Sequence, residues 1–430
     1  MKIAFHTLGC KVNSYETEAL ERLFTSRGYT VVNAKELADI YVINTCTVTN
    51  TADQKSRKAI RQAIKRNPDA IVAVIGCYSQ VSSEDVAAIE GVDIIMGTSE
   101  RERLVERVEG FMRERKRILD IKEMTRYKQF DALNVTSFSE NTRAFVKIQD
   151  GCNQYCSFCI IPYARGPVRS RPKEAIIAEA KTLLSNGYKE IVLTGIHTGG
   201  YGSDLKEVSF YDLLKELSEL DGLKRLRVSS IEINQLSEEI ITLMAKNPVF
   251  ARHLHIPLQS GSDAILQKMK RRYTLAEYRA KIEVIRQAIP SIAITTDIIV
   301  GFPGETDDDF NAIKATLSAC AFSELHVFPY SKRSGTLAAQ SKDQVHGTIK
   351  SYRVNELLQL NETLANRYIE TLKASTESVL FERCDGESCR GHSSHYVTYK
   401  VYTDQDLVNQ IHPVKVVKVN YPESIAKLQD

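Results

Sequence analysis

The chain has 430 residues, too many for one ordinary domain and enough for two or three. Apolar residues make up 43% and charged residues 26%, the balance of a globular protein with ample core, and a net charge of only +3 excludes a histone-like basic protein and leaves any nucleic-acid partner to local patches. No apolar run approaches the roughly 20 residues that span a bilayer, and residues 1–7 begin like a strand without the apolar stretch of a signal peptide. The expectation is a cytoplasmic protein with no membrane partner, whose nine cysteines serve as metal ligands, catalytic groups or core thiols rather than disulfides.

Three strand-like runs open the chain, at 2–8, 38–44 and 70–75, and each ends at a cysteine: Gly9-Cys10, Thr45-Cys46 and Gly76-Cys77. Helical patterns run between them, at 14–26 after a cap at Asn13 or Ser14, and at 54–66, stopped by Asn67-Pro68. Strands alternating with helices predict a parallel sheet, whose ligands collect outside the carboxyl ends of the strands. Cys10, Cys46 and Cys77 would therefore meet at one crevice, a three-thiolate site assembled from distant sequence. The basic residues Arg57, Lys58, Arg61, Lys65 and Arg66 read either as a solvated helix face or as a track for phosphates. Residues 101–128 hold ten Lys/Arg against six Asp/Glu, a pattern that suits a basic helical face or a linker, and the polar segment 131–141 is expected to be a boundary.

From about 142 to 366 the alternation resumes. Strands are predicted at 143–148, 190–194, 225–229, 253–256, 292–299 and 324–327. Helices are predicted at 172–185, 211–220, 237–247, 262–270, 275–288, 306–319 and about 344–373. Six successive strand–helix units predict a partial or full barrel of the TIM type, with active groups on the loops after the strands. The first of those loops holds Gly-Cys-Asn-Gln-Tyr-Cys-Ser-Phe-Cys, with Cys152, Cys156 and Cys159. Structural zinc sites want four ligands from paired clusters, and no second pair lies nearby. Three soft, anionic thiolates on one short loop instead suit a [4Fe–4S] cluster with one iron open to an outside ligand. Cys320 falls in an apolar helical pattern and is expected in the core, and His197, His253 and His255 are expected to pack or hydrogen-bond.

Beyond about 374 the pattern turns to short strands, at 378–382, 396–402 and 414–419, consistent with a small OB-like barrel. Cys384, Cys389, His392 and His395 imitate a zinc site at unusual spacing, and the Gly386-x4-Gly391 run lacks the lysine of a phosphate loop.

Together these motifs resemble the radical S-adenosylmethionine (SAM) methylthiotransferase family over essentially the whole chain. The two cysteine triads carry the resemblance, with Phe158 before the last cysteine of the second. So do His255-Ile-Pro-Leu-Gln-Ser-Gly-Ser262, Thr296-Asp-Ile-Ile-Val-Gly-Phe-Pro-Gly-Glu-Thr306 and Phe328-Pro-Tyr-Ser331. The run Thr7-Leu-Gly-Cys-Lys-Val-Asn-Ser-Tyr-Glu16 is most similar to the MtaB branch, which acts on N6-threonylcarbamoyladenosine at position 37 of tRNA. The resemblance implies an α/β architecture: a parallel-sheet domain at 1–125, a partial (β/α)6 radical-SAM barrel at 138–368 and a small C-terminal β-barrel, the TRAM domain, at 371–430. It also implies two [4Fe–4S] clusters on the triads. SAM, cleaved at the barrel cluster, would give a 5′-deoxyadenosyl radical that removes hydrogen from C2 of the adenine. A methylated sulfur from the auxiliary cluster would then attack, with a second SAM supplying the methyl group.

Under that reading Gly195, Ser229, Ser230 and Glu232 are expected to line the SAM pocket, and Gln259 and Asp297 to stand at the barrel mouth. Arg165, Arg169 and Arg171 are expected on the tRNA anticodon stem-loop, with Lys270, Arg271 and Arg272 on its phosphates. An electron donor such as a flavodoxin or ferredoxin is the remaining partner. Two departures stand out. Lys332-Arg-Ser-Gly-Thr336 lacks a proline expected before the glycine, which alters a turn but is expected to touch no ligand. The C-terminal domain has balanced charge, so that much of the RNA contact is expected elsewhere. The alternatives are a relative of the same layout acting on isopentenyladenosine in tRNA or on a ribosomal-protein aspartate, and a non-catalytic iron–sulfur or zinc RNA-binding protein.

Overall fold

Short runs of buried aliphatic residues separated by amphipathic helices build the first sheet, because strands covered on both faces must be apolar throughout. In the computed structural model, which describes residues 1–131, 133–138 and 142–429, this sheet has six parallel strands: β1 (Lys2–Thr7), β2 (Thr30–Val32), β3 (Ile40–Thr45), β4 (Ile71–Gly76), β5 (Ile94–Met96) and β6 (Ile118–Asp120). Their order is β2-β1-β3-β4-β5-β6. The order reverses at β1/β3, the switch point where ligands of such sheets bind. The charged stretch 101–128 is no linker: it contains the helix Leu104–Glu114, whose Leu104, Val105, Val108 and Phe111 face the core, and the edge strand β6. The expected boundary at 131–141 lies partly outside the described residues, at 132 and 139–141.

A second set of strands follows: β7 (Arg143–Lys147), the short antiparallel pair β8 (Gln149–Asp150) and β9 (Arg169–Ser170), then β10 (Glu190–Thr194), β11 (Arg225–Val228), β12 (His253–His255), β13 (Ala293–Val300) and β14 (Glu324–Pro329). Parallel pairing runs β7-β10-β11 and β12-β13-β14. The two halves are joined by a bridge between Leu226 and Phe250 and by the Ile231 N–H donating to the His255 carbonyl at 3.0 Å. The result is the partial six-stranded (β/α) barrel expected, with Cys320 in its buried apolar core.

The long helix Gly347–Thr371 leads to a closed five-stranded barrel, β15 (Glu377–Cys384), β16 (Ser388–Ser393), β17 (Thr398–Tyr402), β18 (Ile411–Lys418) and β19 (Glu423–Leu428), ordered β15-β16-β17-β19-β18. Two of these strands, β16 and β19, carry little apolar patterning and were not legible in the sequence. Cys384 and Cys389 face each other across the β15–β16 hairpin and form a disulfide, against the expectation of free thiols. His392 and His395 bond Glu382 and Glu377 instead of joining the pair, and among the described residues no three His, Cys, Asp or Glu side chains are gathered to hold one metal ion.

Candidate active site

The dispersed triad assembles at the switch point. Cys10 follows β1, Cys46 follows β3, and Cys77 follows β4 as the first residue of the helix Cys77–Val81. Two glycines make this possible. Gly9 has φ +108° and a Cβ there would lie 2.8 Å from Cys46 Cβ; Gly76 has φ +103° and a Cβ would lie 2.6 Å from the Thr45 carbonyl. Only a residue without a side chain admits these backbones at such approach. Asn13 ties the strand ends, its Nδ2 donating to the Leu8 carbonyl at 2.7 Å and the Thr45 carbonyl at 3.1 Å.

The contiguous triad lies on the loop after β8, with Tyr155 at φ +48° between its cysteines. Leaving this loop, the one-turn helix Ile161–Arg165 ends in a fully buried arginine that reaches the other triad: Arg165 Nε donates to Cys77 Sγ at 3.3 Å. Its guanidinium also bonds Glu16 Oε1 at 2.9 Å, Asp150 Oδ2 at 3.1 Å and Asn13 Oδ1 at 2.8 Å. Glu16 is further held by Arg101 at 3.0 Å and Lys147 at 2.7 Å, and Lys147 meets Asp150 at 2.6 Å. Burial by itself would raise the Glu16 pKa, but Arg101, Arg165 and Lys147 hold the carboxyl down at about 2.

Expectation and structure part here. Arg165, Arg169 and Arg171 are not on an RNA-facing surface: all three are buried, because carboxylates and carbonyls of the domain junction need them. Arg169 donates to the Arg165 carbonyl at 2.6 Å, and Arg171 pairs with Glu179 at 2.6 Å. Arg271 is likewise turned inward. It pairs with Glu232, donates to Cys156 Sγ at 3.4 Å and packs on the Tyr273 ring, whereas Lys270 and Arg272 are exposed. Each triad thus receives one inward arginine with its own carboxylate.

Gln259 and Asp297 line a cavity of about 230 Å³ at the barrel mouth. Gln259 holds a left-handed backbone, φ +69°, and bonds β13 on both sides, its N–H to the Asp297 carbonyl and its carbonyl to the Ile299 N–H. Such a conformation costs a bulky residue about 1 kcal/mol and is kept where neighbours enforce it. The other expected pocket residues stand apart from this cavity. Gly195 admits Gln149, whose Oε1 would be 2.9 Å from a Cβ there; Ser229 bonds Thr198 at 3.0 Å; Ser230 is exposed; Glu232 serves Arg271. His197 and His253 are hydrogen-bonded as expected, to Gln235 and Thr295, and His255 links Asp297 to Thr295.

The rest of the cavity wall was not legible residue by residue. Val48 and Thr49, just after Cys46, face Phe158 to Ile161 around Cys159; β14 adds Phe328, and the residues after it add Tyr330 and Ser331. Nor was Arg333, which is buried and clamps Asp53 at 2.6 Å and Thr47 at 2.6 Å, so that the turn without proline joins the two domains beside the site.

Comparison with known proteins agrees with this geometry. The model described as Uncharacterized protein family UPF0004 matches residues 2–97, and the Radical SAM superfamily model matches residues 146–317. The Threonylcarbamoyladenosine tRNA methylthiotransferase MtaB of Bacillus subtilis (strain 168) is 45% identical, covering 98% of this chain and 94% of that one. The MtaB of Aquifex aeolicus (strain VF5) is 40% identical, covering 87% and 91%. The chain belongs to the radical SAM methylthiotransferase family. A tRNA-2-methylthio-N(6)-dimethylallyladenosine synthase of Thermoanaerobacter sp. (strain X514), in the same family, is 35% identical over 96% of this chain and 89% of that one. Among solved structures, the radical SAM methyltransferase TsrM from Kitasatospora setae, with cobalamin and a [4Fe-4S] cluster bound, shares the fold at TM-score 0.59 and 14% identity, covering 79% and 77% of the two chains. As a radical SAM methylthiotransferase, the chain is a sulfur-group transferase that uses SAM and a [4Fe–4S] cluster.

Both triads have the donor chemistry of cluster sites. Within each, the thiols are close enough to raise one another's pKa: burial and then Cys77 and Cys10 push Cys46 up to about 12, and burial with Cys156 and Cys152 pushes Cys159 up to about 12. Iron would have to displace these protons, since it binds thiolate. N–H donors already aim at the sulfurs, from Arg165 to Cys77, Arg271 to Cys156 and the Gln154 backbone to Cys152 at 3.4 Å. Ligands on the corners of a polynuclear cluster stand further apart than those of one ion, which accommodates the spread of each triad.

Proposed function

We propose that this enzyme converts N6-threonylcarbamoyladenosine at position 37 of tRNA, beside the anticodon, to its 2-methylthio derivative. In this reading Cys152, Cys156 and Cys159 hold one [4Fe–4S] cluster and Cys10, Cys46 and Cys77 a second. The observation that carries it is the cavity walled by both triads' loops, Val48 and Thr49 from one and Phe158 to Ile161 from the other. A substrate seated there lies between two sites able to serve two different reactions.

With SAM, the clusters supply the radical that takes hydrogen from an unactivated carbon and the sulfur that replaces it. The chain's own residues do the rest. Phe158, Ile299, Phe328 and Tyr330 give the cavity an apolar wall that keeps water from a radical, and Gln259, Asp297, Thr49 and Ser331 supply the few polar groups that orient a base. The target base has to leave its stack to enter, at a cost least for a nucleotide in a single-stranded loop. Arg165 and Arg271 stabilise negative sulfur at the two triads, each oriented by a carboxylate. An electron donor such as a flavodoxin or ferredoxin completes the cycle.

The test is mass spectrometry of tRNA nucleosides from a deletion strain. Loss of the 2-methylthio derivative of threonylcarbamoyladenosine, restored by the wild-type gene, supports the reading, and an unchanged nucleoside profile overturns it. Anaerobic reconstitution is expected to load about eight irons per chain, four on each triad. A second reading rests on the 35% identity to the dimethylallyladenosine synthase; loss of the methylthio group from that nucleoside alone would favour it.

A further inference from the structure

Successive side chains of a strand point to opposite faces, and the inner faces of β12, β13 and β14 form a polar wall inside the partial barrel. Asp297 lines the cavity at the mouth and meets His255 at 3.3 Å. His255 Nδ1 lies 2.9 Å from Thr295 Oγ1, and His253 Nε2 lies 3.0 Å from the same oxygen. On β14, the His326 ring stands 5.3 Å from that of His255. At the base of the wall His253 stacks on Tyr396 of the C-terminal barrel, ring centres 4.8 Å apart. A cavity of about 150 Å³ opens there, with Thr295, His326 and Tyr396 in its lining.

Lys11 reaches this wall from the first domain. It follows Cys10 and opens the helix Lys11–Ser26, which packs beside β7, on the side of the barrel where, among the described residues, β7 and β14 do not pair. Its ammonium lies 5.9 Å from the centre of the Tyr396 ring, and the guanidinium groups of Arg227 and Arg143 lie 4.8 and 5.5 Å from that centre. The three cations differ in their company. Arg227 has Glu190 at 2.7 Å and Arg143 has Glu382 at 2.9 Å. Arg225 takes the other oxygen of Glu190 at 2.9 Å, and the Tyr421 hydroxyl donates to Glu324 at 2.8 Å. Lys11 is half-buried, and among the described residues its ammonium makes no hydrogen bond or ion pair. A cation so placed costs stability unless an anion joins it.

The substrate brings such an anion. N6-threonylcarbamoyladenosine carries a carboxylate at the end of the substituent on N6, whereas a dimethylallyl substituent is apolar and carries none. Because Lys11 adjoins Cys10, a tail bound to it belongs to a base held beside the dispersed triad. His255 and Thr295 offer hydrogen-bond partners to the urea and hydroxyl groups of that tail.

We propose that Lys11 is a specificity-determining residue: its ammonium binds the threonyl carboxylate, so that the enzyme takes a charged N6 substituent in preference to an apolar one. This rests on the reading of threonylcarbamoyladenosine in tRNA as substrate.

The test compares two anticodon stem-loop RNAs as substrates of the reconstituted full-length protein, with saturating SAM and a reductant. One carries N6-threonylcarbamoyladenosine at position 37; in the other the same side chain ends in a methyl amide. Wild type is expected to favour the acid by about tenfold or more in kcat/KM, since a site built for a polar group rejects the analogue that lacks it. Lys11→Met is expected to lose most of that factor, treating both RNAs much as wild type treats the amide, and Lys11→Arg to keep part of it. A merely structural lysine would lower both rates together, and an acid-to-amide ratio in Lys11→Met equal to that of wild type overturns the proposal. So does wild-type protein indifferent to the amide. Iron content reports whether each variant keeps its clusters. Should Lys11→Met lose iron, carbodiimide coupling of the acid RNA to the wild-type protein decides: an amide bond to Lys11, located by mass spectrometry, supports the proposal, and coupling that leaves Lys11 unmodified overturns it. Wild-type protein that leaves the acid RNA unmodified but methylthiolates a stem-loop carrying dimethylallyladenosine would fell the functional reading itself rather than the role of Lys11 alone.

Discussion

The two triads each gather three thiols, by opposite routes. Cys152, Cys156 and Cys159 share one loop and need only its local backbone to meet, whereas Cys10, Cys46 and Cys77 come from three strand ends and meet only when the parallel sheet pairs β1 with β3 and β3 with β4. The contiguous site is thus a local structure and the dispersed site a product of the fold. The buried junction of Glu16, Lys147, Asp150 and Arg165 stands behind the dispersed one, reaching its sulfur directly. The difference predicts unequal sensitivity: perturbing the fold at a distance should empty the dispersed site first.

The largest effect separates the sites outright. Cys156→Ala is expected to abolish reductive cleavage of SAM to 5′-deoxyadenosine, while Cys46→Ala is expected to keep that cleavage but lose methylthio product, each variant losing about four irons. Both variants retaining cleavage would break the division of labour; product analysis by mass spectrometry with iron determination checks it.

Next comes Arg165→Met. Removing one partner of a buried ion network typically costs about 3–5 kcal/mol because charge is left uncompensated, here on Glu16 and Asp150. The expected result is a lower chemical-denaturation midpoint and selective loss of iron from the dispersed triad, the contiguous cluster keeping its spectroscopic signature. Equal loss from both sites would count against a distinct role for the junction.

Acid should act through the same residues. The Glu16 pKa lies at about 2 in the fold against an ordinary 4.5, so its stabilising contribution is complete above 4.5 and is lost as pH falls through that window towards 2. The iron-free protein is therefore expected to lose a few kcal/mol between pH 4.5 and 2, and Glu16→Gln to flatten that slope in denaturation curves. Smallest is Gly9→Ala, where a left-handed backbone and the 2.8 Å approach to Cys46 Cβ predict a cost of about 1–3 kcal/mol, read as a lower melting temperature and weaker iron retention at the dispersed triad.

The contiguous triad, the alternation of strands and helices, and the strand ends carrying Cys10, Cys46 and Cys77 were all legible, because cysteine spacing and apolar periodicity are local signals. The arginines show where local reading fails. Arg165, Arg169 and Arg171 look from the sequence like a basic patch beside a cluster loop. Their carboxylates, Glu16, Asp150 and Glu179, lie in part across a domain boundary, and no spacing announces such a partner. Arg271 misled for the same reason, Glu232 being 39 residues away. The altered turn at Arg333 proved to be a domain clamp, since Asp53 is 280 residues distant. By contrast the basic run of the helix Asn50–Arg66 was visible at once, while the place of its cap, Thr49, on the cavity wall was not.

By itself, then, the sequence determined the thiols, the order of strands and helices and the family, since each depends on residue type and local period. Tertiary structure alone decided which charges are buried and which wall the cavity shares with each triad. Burial and ion pairing depend on what packs against a residue, and that is settled only when distant segments meet.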